Sequence, residues 1–342
     1  MVSKTFTRIL SVILGLSLIL AFFAPGPVEA KITEPQSIAT VEQQVLDQIQ
    51  SQGSTSFWVD FKSDVDLSKA SQLGWSERGW FVYETLKKAA DASQKQAISV
   101  LEGSAVKYKS YWIKNTILVE SAGINVLNTL TSLSDVEAIR ARKTFILYEP
   151  DTSAAVTDYG LNAIEPNLTH VNAGDAWAAG FVGTGLVVAN IDTGVRYSHQ
   201  ALVGQYRGNN GDGTFDHNYN WFNPDSASDV VPRDGHGHGT HTMGTIVGDD
   251  GVSNQIGIAP GAEWMACAGC PDGGCTDSAL LGCGEFIAAP TNLAGLLPNP
   301  DMRPNVVNNS WGDCGTAYDP WYADVIDGWQ AAGIYPVFSN GN

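Results

Sequence analysis

The segment Asp234–Gly248, DGHGHGTHTMGTIVG, carries the residue types best suited to proton transfer. A glycine-rich loop is predicted to run into a helix there, with His238 at the junction. Backbone holds such a residue in place while its ring faces open space. The ordinary pKa of histidine lies close to neutral pH, which suits a general base. Gly237 and Gly239 would let a substrate backbone approach closely.

Two other interpretations of this segment stay open. His236, His238 and His241 are spaced closely enough to be metal ligands, as in a metal-dependent hydrolase. The segment is also consistent with a glycine-rich surface loop whose histidines are solvated, since functional histidines are a minority.

A second candidate, Asp192, follows the apolar run Leu186–Ala189, which is typical of a strand buried on both faces. Ligand sites of open α/β sheets form at the carboxyl ends of strands, so a carboxylate here indicates a site. The alternative is an aspartate that only forms the turn before Thr193-Gly194.

Five motifs follow one another between residues 183 and 342: IDTGV with SH-x-x-L (Ser198, His199 and Leu202), DGHGHGTH, IGIAPGA, VVNNSWG and VFSNGN. Together they resemble the subtilisin-like serine proteases. The insertion that contains the cysteines and the sequence SNGN in the last motif most resemble the bacillopeptidase F branch of that family. The resemblance implies a serine endopeptidase that hydrolyses proteins and peptides through an Asp-His-Ser triad and requires no cofactor.

The resemblance also implies residue roles. Asp192 would orient the base, His238 would be the base, and Asn342 would donate to the oxyanion. The substrate-binding segment would comprise Ser310, Trp311 and Gly312, with Trp311 in place of a smaller apolar residue. His199, Thr240 and His241 are expected to be structural supports.

The family's nucleophile stands in a G-T-S-M-A-type motif, which is not found in these 342 residues. Ser198, Ser310 and Ser339 occupy other family positions, so none of them is assigned as the nucleophile. We therefore expect these 342 residues to be a fragment or a truncated protein that has no proteolytic activity by itself. A further alternative is a non-catalytic protein that binds or inhibits proteases.

The elements that must position these residues alternate along residues 166–342. After a helix at Asn172–Gly180, strands are predicted near 185–191, 263–268, 304–309 and 334–339, and helices near 238–248, 277–288 and 319–332. This alternation predicts an α/β fold with a doubly wound, mostly parallel sheet.

Residues 54–150 predict a separate small α+β domain. Strands 56–61, 106–113, 115–120 and 136–148 and helices 80–101 and 126–133 give the ferredoxin-like order β-α-β-β-α-β. The domain resembles the inhibitory propeptide of the family, which is a partner of its own protease and places its tail in the active cleft. An unrelated binding module on the same fold is the alternative.

The remaining segments predict secretion and maturation. Residues 1–30 read as a signal peptide, with Lys4 and Arg8 before an apolar run and a small-x-small pattern at Val28–Ala30. Residues 31–53 form a leading segment, and residues 151–165 a linker, with maturation cleavage expected within Glu149–Gly160. The alternative for the apolar run is a membrane anchor. After signal cleavage no membrane partner is expected.

Composition limits the partners. The net charge of −17 argues against nucleic acids and anionic membranes. Asp212 and Asp216 are candidate ligands of a structural calcium ion, although their spacing is not that of a full calcium loop. The five cysteines are Cys267, Cys270, Cys275, Cys283 and Cys314. Disulfides are favoured in an exported chain, and a zinc cluster is the alternative.

Overall fold

The computed structural model describes residues 39–147, 164–252, 255–312 and 319–340. The predicted signal peptide, the maturation range Glu149–Gly160, Cys314 and Asn342 lie outside these ranges. Within them, no helix is both long and apolar enough to cross a membrane.

The N-terminal unit is a five-stranded sheet with helices. Its strands are β1 Thr40–Val41, β2 Thr55–Phe61, β3 Tyr108–Tyr111, β4 Thr116–Ala122 and β5 Val136–Ala141. Its α-helices are α1 Gln43–Gln52, α2 Trp75–Ser93, α3 Lys95–Gly103 and α4 Ile124–Thr131. The order β1-β5-β2-β4-β3 contains the ferredoxin-like order with β1 added at one edge, which confirms the predicted topology.

The second unit is built on a parallel sheet. Its strands are β7 Val187–Asp192, β8 Trp221–Phe222, β9 Glu263–Ala268, β11 Val306–Asn309 and β13 Tyr335–Phe338. They lie in the order β13-β11-β7-β9-β8, and every neighbouring pair is parallel. Its α-helices are α5 Pro166–His170, α6 Ala173–Ala178, α7 His238–Val247, α8 Asp277–Ala288 and α9 Ala323–Ala332.

Helices cover both faces of this sheet because alternate residues of each strand point to opposite faces. Along β7, Val188 packs in the cluster that contains Met243 of α7. The neighbouring Ala189 packs in the cluster that contains Leu280 of α8 and Trp329 of α9. The predicted doubly wound α/β fold is therefore confirmed.

The strand β7 lies in the middle of the sheet, with β9 on one side and β11 on the other. The chain passes from β7 to β9, and then returns across β7 to form β11. Such a reversal of strand order opens a crevice at the carboxyl ends of the strands, where α/β proteins bind ligands. Asp192 is the last residue of β7 and stands at this crevice.

A small three-stranded sheet joins the two units. The strand β6 Thr144–Leu147 lies between β10 Cys275–Thr276 and β12 Trp311–Gly312, antiparallel to both. The prediction of one strand over 136–148 is wrong, because β5 ends at Ala141 and β6 belongs to another sheet. Arg142 and Lys143 separate the two strands, and both bond to Asp277 at the start of α8.

The two units also share apolar packing. Trp58 of β2, Tyr111 of β3 and Ile113 belong to the same buried cluster as Leu280 of α8 and Trp329 of α9. The opposite face of β2, including Phe57, packs with α1, α3 and α4 in a core of its own. The N-terminal unit therefore rests its sheet on α8 and α9.

Four of the cysteines form the predicted kind of bond. Cys267 at β9 is joined to Cys283 of α8, and Cys270 is joined to Cys275 of β10. These bonds fasten α8 and β10 to the end of β9. They use the cysteines that the zinc alternative required.

Candidate active site

Asp192 is held in a fixed orientation at the end of β7. Its side chain is fully buried. The main-chain N–H of Thr193 donates to its Oδ1 at 2.7 Å, and the Thr242 hydroxyl donates to its Oδ2 at 3.1 Å. Buried carboxylates need such donors, and these two leave Oδ1 turned toward the start of α7.

His238 is the first residue of α7. Gly237 before it has φ of +103°, a conformation that favours glycine and turns the chain sharply into the helix. The predicted helix near 238–248 matches α7, which ends at Val247. The loop-to-helix junction therefore lies where the sequence predicted it, but the imidazole of His238 is buried rather than facing open space.

The structure brings these two side chains together. His238 Nδ1 lies 2.7 Å from Asp192 Oδ1, and the histidine is only 8% exposed. An ionised carboxylate only accepts hydrogen bonds, so Nδ1 must carry the proton. In the neutral ring Nε2 is then the basic atom. The pair can take a proton at Nε2 and stabilise the resulting imidazolium.

Asp234 supports this geometry, and the sequence reasoning gave it no role. Its Oδ1 accepts from the N–H of Gly237 at 2.7 Å and from the Thr193 hydroxyl at 2.9 Å, and its Oδ2 accepts from Thr240. Burial alone would raise the pKa of Asp234, but the hydrogen bonds from Thr240, Gly237 and Thr193 hold it below its ordinary value. Asp234 therefore caps α7 as an anion and ties it to the end of β7.

Asn190 is a second support that sequence reasoning missed. Its amide donates to Thr242 Oγ1 at 2.9 Å and to the carbonyl of Gly239 at 3.1 Å. The Thr242 hydroxyl accepts from Asn190 and donates to Asp192. The carbonyl oxygen of Gly239, also 3.1 Å from Thr242 Oγ1, is a second acceptor for this hydroxyl, and α7 is fastened to β7 at a second point.

The structure does not bring together His236, His238 and His241, the three histidines that a metal-dependent hydrolase would use. The rings of His236 and His238 are 6.4 Å apart, and His241 lines a separate cavity of about 560 Å³ beside His199. In the part of the chain that the structure describes, no group of three His, Cys, Asp or Glu could hold a metal ion. His199 caps a local turn, with Nδ1 accepting from the N–H of Ala201.

The two predicted calcium ligands have local partners. Asp212 Oδ1 accepts from the hydroxyl and the N–H of Thr214, and Asp216 Oδ1 accepts from Asn218. Each carboxylate therefore closes its own turn. The calcium site stays a prediction.

The predicted substrate-binding residues lie at the edge of the crevice. Trp311 and Gly312 form β12, and Ser310 Oγ accepts from the Asn308 amide at 2.9 Å. Trp311 is 4% exposed, and its ring meets the ring of Phe145 from β6 at 5.7 Å. The large side chain at this position therefore forms a wall against the strand that pairs with β12.

Comparison with known proteins decides the family. Residues 183–342 match the model of the Subtilase family, Peptidase_S8. These residues are a subtilase-family domain. The matched residues begin just before β7 and include both Asp192 and His238. The predicted resemblance to the subtilisin-like serine proteases is therefore confirmed for these residues.

Two curated relatives extend the similarity to the N-terminal unit. Bacillopeptidase F of Bacillus subtilis (strain 168) is 33% identical over 379 aligned residues, covering 99% of this chain and 26% of the relative. The minor extracellular protease Vpr of the same organism is 26% identical, covering 82% of this chain and 36% of the relative. The chain thus spans about a quarter to about a third of the length of these relatives.

Solved structures show similarity at lower identity. Fervidolysin from Fervidobacterium pennivorans, described as a keratinolytic enzyme related to subtilisin, is 18% identical with a TM-score of 0.47. The match covers 84% of this chain and 40% of fervidolysin.

Proposed function

We propose that this chain carries the acid–base pair and substrate-binding edge of a secreted serine endopeptidase. The observation that carries the proposal is the buried contact of 2.7 Å between Asp192 and His238 at the carboxyl end of β7. Membership of the subtilase family supplies the reaction class, which is hydrolysis of peptide bonds.

In the proposed mechanism His238 Nε2 accepts the proton of a serine hydroxyl as its oxygen attacks the scissile carbonyl. Asp192 stays ionised and stabilises the imidazolium through Nδ1. The imidazolium then protonates the leaving amine, and a water molecule releases the acyl group by the same proton transfers. The serine would come from the family's nucleophile motif, and the Asn342 amide would donate to the oxyanion.

We further propose that the N-terminal unit is an inhibitory propeptide. Its strand β6 pairs Phe145 with Cys275 on one side and Ile146 with Gly312 on the other. An extended polypeptide substrate would form the same backbone pairs. The unit therefore occupies the edge that a substrate needs, and its cleavage within Glu149–Gly160 would open the cleft.

Secretion is part of the proposal. The predicted signal peptide and the two disulfides fit an oxidising compartment. The relative Vpr is named as an extracellular protease, which supports the same location. Protein and peptide substrates are the proposed partners, together with the propeptide itself.

The reaction class is tested on the gene product as its source cells make it. We expect hydrolysis of denatured casein that a serine-directed sulfonyl fluoride abolishes and a metal chelator leaves nearly unchanged. Loss of activity with the chelator alone would support the metal-dependent hydrolase instead. Tight inhibition of other proteases without casein hydrolysis would support the non-catalytic alternative.

The contact between the two units should depend on pH through Glu285. This side chain of α8 accepts a hydrogen bond from the N–H of Trp112 in the N-terminal unit. Burial raises its pKa from 4.5 to about 7, although that hydrogen bond and the charges of Lys109 and Lys87 oppose the shift. The folded chain therefore binds this proton more tightly than the unfolded chain does.

Because of this difference, the folded chain is more stable when Glu285 is protonated in both states. The contribution of Glu285 to the free energy of unfolding is complete below pH 4.5 and declines as pH rises through about 7. Its upper limit is about 3 kcal/mol, reduced because Glu285 keeps some solvent contact. In urea unfolding of the full chain, Glu285→Gln should flatten this decline. The exposed Glu84→Gln on α2 is the matched control, and an equal effect of both variants would contradict the prediction.

A further inference from the structure

Two carboxylates of the peptidase unit hold the basic pair that precedes β6. Asp277, the first residue of α8, is fully buried, and its Oδ1 accepts from Arg142 Nε at 2.7 Å. Ser278 Oγ adds a contact of 3.0 Å to Arg142 Nη2. Asp319 accepts a hydrogen bond from Lys143 Nζ. Each basic side chain therefore has its own acidic partner.

Most donors to Asp277 come from the N-terminal unit. Its Oδ2 accepts from Trp58 Nε1 and from the N–H of Lys143, both at 2.7 Å. The N–H of Ser278, at 2.8 Å, is the donor from its own unit among the described contacts. Release of the N-terminal unit would thus remove most of the groups that satisfy this carboxylate. The positive end of α8 still favours negative charge there, so a new cationic partner would be bound favourably.

The main-chain contacts at this place do not depend on the propeptide sequence. The N–H of Asp277 donates to the carbonyl of Lys143 at 3.3 Å, while the N–H of Lys143 donates to the side-chain Oδ2 of Asp277. The first of these bonds continues the pairing of β6 with β10 by one residue. Any extended polypeptide lying along β10 could make them, so discrimination falls to the side chains.

We propose that, in the processed endopeptidase, Asp277 and Asp319 form a subsite for basic residues of the substrate. The preferred substrate carries arginine then lysine immediately before the segment that pairs with β10 and β12, as Arg142 and Lys143 precede β6. The proposal rests on the proposed function, because it concerns the substrates of that endopeptidase.

The test compares peptides on the processed protein purified from its source. One peptide has the sequence of residues 140–160, and the other carries Arg142→Ala and Lys143→Ala. We expect kcat/KM to fall about tenfold or more for the second peptide, mainly through a higher KM, because the charged partners of Asp277 and Asp319 are removed. Mass spectrometry of the products gives the cleaved bond.

Variants of the enzyme assign the effect to single pairs. Asp277→Asn should remove most of the preference for arginine, and Asp319→Asn should remove the preference for lysine. Exchanging the exposed Asp175 for asparagine, on α6, is the matched control and should change neither preference. If Asp277→Asn does not fold, Asp319→Asn and the peptide comparison on the unaltered enzyme still decide the matter.

The outcomes separate this inference from the proposed function. Cleavage of both peptides with equal kcat/KM would overturn the subsite and leave the endopeptidase intact, so the basic pair would serve only to dock the propeptide. Cleavage of neither peptide would overturn both. A preference that Asp277→Asn and Asp319→Asn leave unchanged would place the recognition elsewhere.

Discussion

Asp192→Asn is expected to lower kcat for casein hydrolysis by about 10⁴ while leaving the fold in place. The side chain keeps its size, and its one oxygen can still accept from either Thr193 or Thr242, which bond to different oxygens of Asp192. It no longer carries the charge that stabilises a protonated His238. If its amide nitrogen faces the ring, Nδ1 becomes the acceptor, and Nε2 then carries the proton and cannot act as a base.

The measurement has two parts. Steady-state kinetics on the gene product from its source gives kcat and KM, and nitrogen NMR of the histidine side chains reports which ring nitrogen of His238 is protonated. We expect the tautomer to change together with the loss of kcat. A variant with the original tautomer and near-normal kcat would refute the role of Asp192, whereas a lost fold, seen by circular dichroism, would indicate a structural role.

The elements that hold the pair could be predicted from periodicity and turn chemistry alone. The apolar run before Asp192 indicated a buried strand, and β7 occupies Val187–Asp192. The predicted helix 277–288 matches α8. Both segments carry a strong local signal that tertiary packing reinforces. The predicted helix 319–332 instead begins as a 3₁₀ turn at Pro320–Tyr322, because Asp319 caps the N–H of Trp321.

Features that depend on distant partners could not be predicted in this way. The break between β5 and β6 arises because Arg142 and Lys143 bond to Asp277, more than 130 residues later in the chain. The roles of Asp234 and Asn190 likewise need the end of β7 and the start of α7 to meet. A single sequence shows neither which carboxylate is buried nor which donors converge on it.

The close approach of α7 to β7 depends on Gly239, so a larger residue at this position is expected to have a large effect. A Cβ at this position would lie 2.0 Å from the carbonyl oxygen of Gly194 and 3.1 Å from Asp192 Cβ. Both neighbours belong to the backbone or to the buried pair itself, so they cannot move aside cheaply. Gly239→Ala should therefore push the start of α7 away from β7 and lengthen the contact between Asp192 and His238.

The expected result is a fall in kcat of about 10² or more, because a displacement of about 1 Å misaligns the base. Overpacking should also lower the free energy of unfolding by about 1–3 kcal/mol.

Gly244→Ala is the matched control on the same helix, since a Cβ there meets nothing within 4 Å. It should keep kcat and stabilise the chain by up to about 1 kcal/mol, as alanine favours a helix over glycine. Kinetics and urea unfolding of both variants decide the point. Equal effects at the two positions would show that α7 tolerates side chains against β7, and that the buried pair is positioned by its hydrogen bonds rather than by this close approach.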